Sequence, residues 1–131
     1  MSDTIEERKE RMLNEAKKVM LENNTWLSGK DLYLNNQLDM FQDFLTKRKI
    51  FCIVDKGIAL FPTYMFVDEK PLPVIAELIK IFGNCSNLRL ATWIESVNSY
   101  LGGVSPKTLL ATEPQKVIKA AYDEINWVNN G

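Results

Sequence analysis

The sequence predicts a mainly α-helical protein. A helix-turn-helix-like N-terminal unit with a β-hairpin spans residues 1–70, and a small C-terminal helical domain spans residues 71–131. Three observations carry that expectation. Apolar residues recur at intervals of three and four through most of the chain, the period of an amphipathic helix. The β-rich run with a tight turn inside it lies over residues 50–61. A polar break, Asp68-Glu69-Lys70-Pro71, then precedes a helical stretch opened by proline. The chain has 131 residues, 46% hydrophobic and 25% charged, enough for one modest core or two very small ones.

The first helix is expected over residues 2–23. Ser2 or Asp3 supplies its cap, and Glu6 and Glu7 suit the positive end of its dipole. Met12, Ala16, Val19 and Met20 form its apolar stripe, weakly extended by Ile5. Asn23-Asn24-Thr25 breaks it. After Trp26 and Leu27, Ser28 caps a short helix over residues 29–34, Asn35-Asn36 turns the chain, and a third helix runs to residue 47. Leu38, Phe41, Phe44 and Leu45 face inward on that helix. Two short helices joined by a tight turn suggest a helix-turn-helix.

Residues 50–54 and 58–61 are expected to pair as a hairpin, placed as a wing would be. Asp55-Lys56-Gly57 makes the turn, and Gly57 takes the positive φ that a short turn demands. Pro62 confines the second strand to an edge or an end. Tyr64-Met65-Phe66 continues as an apolar segment, and residues 68–71 form a polar loop.

Pro73 opens the next helix, where its missing N–H costs nothing. Ile75, Leu78, Ile79 and Phe82 share its inner face, and Gly83-Asn84 ends it. Ser86 or Asn87 caps a helix with Leu90, Trp93, Ile94 and Val97 inward. A loop over residues 98–103 includes the pair Gly102-Gly103, a tight turn. Ser105 and Pro106 form an N-cap and N1 pair, and Glu113-Pro114 starts the last helix, where Ile118, Ala121, Ile125 and Val128 share a face.

Composition narrows the chemistry. The chain has no histidine, which removes the Ser-His-Asp and Cys-His mechanisms and the common histidine-bearing zinc sites. Cys52 and Cys85 cannot close a four-thiolate site and are expected as free thiols in a cytoplasmic protein. The N-terminal residues lack the pattern of a secretory signal, and no run approaches the ~20 apolar residues of a membrane helix. Glu6-Glu7, Asp68-Glu69 and Asp123-Glu124 are adjacent pairs, and neighbours on a helix point in different directions. Gly102-Gly103 lacks the surroundings of a phosphate loop. A protein without enzymatic activity, metal or cofactor is the expectation.

The formal net charge of −1 argues against broad adhesion to nucleic acid. A local DNA-reading site remains an alternative. On the candidate recognition helix Gln37 and Gln42 could read adenine, and Lys47, Arg48 and Lys49 gather at its end. Asp39 and Asp43 share a face of the same helix and repel phosphate.

The stretch Trp93-Ile94-Glu95-Ser96-Val97-Asn98-Ser99-Tyr100-Leu101-Gly102-Gly103-Val104-Ser105-Pro106-Lys107-Thr108-Leu109-Leu110 resembles the signature of the Xre/MbcA/ParS-like toxin-binding domain. The likeness continues through Glu113-Pro114-Gln115-Lys116-Val117 and Ala120-Ala121. It extends more loosely upstream to Trp26, through Leu60-Phe61-Pro62 and Pro71-Leu72-Pro73-Val74-Ile75. Val97 stands where the family usually has proline. The resemblance implies an antitoxin whose C-terminal toxin-binding domain docks on and occludes a cognate protein toxin, often of the NAD-consuming RES type. It also implies an N-terminal region that binds operator DNA, and a homodimer. By position, Trp93, Asn98, Leu101, Gly102, Gly103, Pro106 and Leu110 carry over as residues that touch the partner or shape the loop. Tyr100, beside the glycines, is a further candidate for partner contact.

Overall fold

The computed structural model describes residues 4–130, with side chains described as far as Trp127. Capping by Ser2 or Asp3 and the inner-face position of Val128 lie outside the described residues. The molecule is mainly α-helical, as its periodicity predicts. Its elements run α1 (Ile5–Asn23), β1 (Trp26–Ser28), α2 (Gly29–Leu34), α3 (Leu38–Thr46), β2 (Ile53–Asp55), β3 (Ile58–Pro62), β4 (Phe66–Val67), β5 (Lys70–Pro71), α4 (Pro73–Ile81), α5 (Asn87–Glu95) and α6 (Pro114–Asn130). Single 3-10 turns cover Thr63–Met65, Ser99–Leu101 and Pro106–Leu109. No helix of the described residues is long and apolar enough to cross a membrane.

α1 is capped by Thr4, whose hydroxyl accepts from the Glu7 N–H at 3.1 Å. The face it buries differs from the expected stripe. Met20 is buried, with Leu13, Lys17 and Leu21 half-buried beside it, while Met12, Ala16 and Val19 are exposed. The helix carries two apolar lines, Leu13/Met20 and Met12/Val19, one residue or about 100° apart. Only one of them can lie against α5, and local periodicity does not choose between them.

Trp26 and Leu27, read from sequence as a mere lead-in, form an edge strand. β1 pairs antiparallel with β3 in the register Trp26↔Pro62 and Ser28↔Leu60, and β2 pairs on β3's other side, giving the order β1-β3-β2. The second hairpin strand is therefore central, and Pro62 is tolerated as its last residue. The first strand begins later than expected, since Ile50 and Phe51 are buried ahead of it. Lys56 (φ 51°) and Gly57 (φ 79°) make a two-residue turn with both residues at positive φ. The expected polar loop is part of a second hairpin: Phe66 pairs with Pro71 and Val67 with Lys70, around Asp68 and Glu69.

One buried cluster runs from Met20 to Ala121 and includes Leu32, Phe41, Phe61, Ile75, Ile94 and Val117. Phe41 contributes to it an edge contact with Phe61 and a stacked contact with Phe66, at 5.3 and 5.1 Å. The expected boundary between residues 70 and 71 falls inside β5. Pro73 sits at the start of α4 as anticipated, and Ser86 caps α5 by accepting from the Arg89 N–H. α5 ends at Glu95, so the helical period stops before Val97, which is exposed rather than inward. Ser105 occupies the cap position of its 3-10 turn without a side-chain capping bond.

Candidate protein-docking site

The segment from α5 to α6 builds a stiff loop out of backbone hydrogen bonds. At the end of α5 the Ser96 hydroxyl donates to the Thr92 carbonyl at 2.7 Å, and the backbone turns extended at Ser96. The Asn98 N–H then donates to the Val104 carbonyl at 3.0 Å, an isolated antiparallel bridge. The Asn98 carbonyl accepts from Leu101 at 3.1 Å and from Gly103 at 2.9 Å. Gly102 closes the 3-10 turn in the left-handed region, φ 76° and ψ 23°, where a side chain would be strained.

The motif residues separate into two groups. Trp93, Pro106 and Leu110 are buried, and the Trp93 indole lies against Phe82 at 5.2 Å. Leu101 is half-buried against the core and Asn98 is half-buried at the loop's neck. These shape the loop. Tyr100, Gly102 and Gly103 are exposed, and so is Val97. Those are the positions a second protein can reach.

Both ends of the loop are tied to the body by Lys107. Its ammonium donates to Glu95 Oε2 at 3.2 Å and to Asn24 Oδ1 at 3.0 Å. The Glu95 side chain is 14% exposed and that of Lys107 30%. This pair is shielded enough to hold geometry, unlike the screened pairs of an open surface. Burial, with Glu95 nearby, pushes the Tyr64 hydroxyl far above its ordinary ionisation range. The Tyr64 hydroxyl thus stays neutral.

A cleft of about 530 Å³ opens between α5, the loop, α6 and Leu13 of α1. Thr92, Ser96, Ser99 and Asp123 line it, and Arg89 of α5 reaches Glu124 of α6 at 3.2 Å along one wall. Tyr100 and Trp127 stand on its rim, 54% and 72% exposed. Hydroxyls and a satisfied ion pair between two exposed aromatic rings suit hydrogen bonding to another chain, with the rings as anchors. Sequence reasoning missed Trp127, Glu95 and Lys107. Trp127 lies off the Ile118/Ala121/Ile125 face of α6, a signal that was available. The Glu95–Lys107 pairing left none, since the two stand twelve positions apart across a stretch of turns.

The DNA candidates fall elsewhere, on α3 and its ends. Gln37 is half-buried at the helix start, and its carbonyl accepts from the Phe41 N–H. Gln42 is exposed. Lys47 is ion-paired with Asp43 at 3.0 Å. Arg48, at φ 56°, and Lys49 terminate the helix: their N–H groups donate to Leu45 and Phe44 carbonyls at 3.0 and 2.9 Å. The basic run thus ends the helix, and one of its charges is already engaged. Cys52 and Cys85 are free, and burial pushes the Cys52 thiol up, away from the reactive thiolate.

No protein-family model, curated protein or solved structure matches the chain.

Proposed function

We propose that the chain is an antitoxin-type binding protein that docks on a cognate protein toxin through the loop over residues 97–104 and the cleft beside it, and blocks the toxin's substrate site. The resemblance of residues 93–110 to a toxin-binding signature gives the partner's class. The observation that carries the docking site is the loop itself: its backbone is bonded to itself and pinned by Lys107, while the exposed Tyr100 lines the same cleft as Trp127. A loop already ordered loses little conformational freedom on binding. The test is co-expression with the product of the adjacent reading frame. Co-purification of the two proteins and relief of growth arrest are expected. Tyr100→Ala should lower affinity at least several-fold without changing thermal stability, because that ring is mostly in solvent. Unchanged affinity would remove Tyr100 from the interface, and absence of any complex would remove the antitoxin reading.

A second reading, a helix-turn-helix transcriptional regulator without a toxin partner, is favoured by topology. In the order α1-β1-α2-α3-β2-β3, with the sheet β1-β3-β2, a hairpin directly follows two short helices, which supports this reading. The exposed surface of α3 opposes it, since Asp39 and Asp43 lie where phosphates would approach. A mobility shift on the upstream DNA decides the matter. Retardation at low salt that fades as salt rises supports operator binding by this unit; free DNA at the lowest salt discards it.

A further inference from the structure

The cleft of about 530 Å³ beside the loop carries an excess of negative charge and of free lone pairs. Arg89 is the one cation among its lining residues, and its guanidinium already reaches Glu124 at 3.2 Å. Asp123, also a lining residue, joins no salt bridge and no side-chain hydrogen bond among the described residues. The helix hydroxyls add acceptors. Thr92 donates its proton to the Arg89 carbonyl at 3.0 Å, and Ser96 donates its own to the Thr92 carbonyl at 2.7 Å. Each keeps only lone pairs for a ligand.

Asp123 and Trp127 stand four residues apart on α6 and both line the cleft. That spacing makes carboxylate and indole neighbours on one helix face, with Cβ atoms roughly 5–6 Å apart. The indole is mostly in solvent, and Tyr100 brings a second exposed ring from the loop. A flat cation laid on the indole face is attracted by the ring's quadrupole. Its N–H groups lie in its own plane and stay free for the carboxylate beside the ring. A guanidinium meets both demands at once. An ammonium is a compact, strongly hydrated point charge with no flat face to lay on the ring. An anionic group would meet Asp123 and Glu124 as like charges.

We propose that the cleft receives an arginine side chain of the docked partner, stacked on Trp127 and paired with Asp123. This assignment rests on the docking reading for where the partner lies, and adds which of its residues is held. The test titrates the full chain at low salt with the blocked peptides acetyl-Gly-X-Gly-amide, where X is arginine, lysine or citrulline. Citrulline keeps the shape of arginine and lacks its charge. The Trp127 indole N–H resonance, recognised by its loss in Trp127→Phe, reports binding. The arginine peptide should give a saturable shift with Kd on the order of a millimolar. Lysine should bind several-fold more weakly and citrulline about tenfold more weakly. The arginine affinity should fall as salt is added. Asp123→Asn should erase the advantage of arginine over citrulline and leave Tm unchanged, because Asp123 is exposed. No saturable shift with the arginine peptide overturns the proposal. Lysine or citrulline binding as tightly as arginine overturns it too, as does an Asp123→Asn variant that keeps the full preference. Co-purification with the product of the adjacent reading frame is read separately, so this proposal can fail while the docking reading stands.

Discussion

Gly102 shows how one residue sets the shape of the proposed docking loop. Its φ of 76° lies in the region that L side chains enter only at a cost, and a Cβ built there meets nothing within 4 Å. Space is therefore not the obstacle, and the whole penalty is backbone strain of about 1–2 kcal/mol. Gly102→Val should lower stability by that order in urea unfolding, with the slope unchanged, and Gly102→Asn should cost less because asparagine tolerates the left-handed region. Equal stability of wild type and Gly102→Val would show that the turn adopts another conformation in solution. This residue's role was legible in the sequence, because a Gly-Gly pair between two helices leaves few alternatives. Val97 was not legible. Extending the helical period of Leu90, Trp93 and Ile94 by one more step puts it inside, but the helix stops two residues earlier.

Among the elements, α2 depends most on its cap, having six residues and Leu32 alone buried. Ser28 Oγ accepts from the Asp31 N–H at 3.2 Å, and Asp31 Oδ2 accepts from the Ser28 N–H at 2.9 Å and its hydroxyl at 3.0 Å. Those bonds to the Ser28 backbone and side chain hold the Asp31 carboxyl below its ordinary value of 3.8. A carboxyl with a lowered folded pKa stabilises the fold fully above its unfolded value. That contribution is lost as pH falls from about 3.8 through the lowered folded value. Asp31→Ala should therefore lower Tm at neutral pH, and the gap to wild type should shrink as the pH drops below that range. A gap that is constant with pH would show that the charge of Asp31 is not what the cap uses. Ser28 was readable as a cap from its position before a short apolar run. β1 was not readable: three residues are too few to display an alternating pattern, and its partner β3 lies more than thirty residues away. The inner face of α1 was ambiguous for the related reason that two apolar lines compete and only tertiary contact selects one.

At the scale of the molecule the question is whether the two sequence halves behave as one body. Polar residues 68–71 mark a turn in the chain, and from pattern alone such a turn looks the same whether the cores on either side merge or not. In the structure they merge: Met20, Phe61 and Met65 belong to the same buried cluster as Leu78, Ile94 and Val117, and β4 pairs with β5 across the expected boundary. Lys107 adds a polar link by joining Asn24, at the end of α1, to Glu95, at the end of α5. Shared apolar burial is what makes small domains unfold in an all-or-none manner. Trp26 reports on the sheet and Trp93 on the C-terminal helices, so a Trp127→Phe variant, stripped of its exposed indole, has one reporter on each side. Its fluorescence and its helical circular dichroism should fall along a single transition with the same midpoint in urea. Two separated midpoints would mean that the contacts across the boundary are too weak to couple the halves. A partner docked on the loop would then have no path by which to influence the N-terminal helices and sheet.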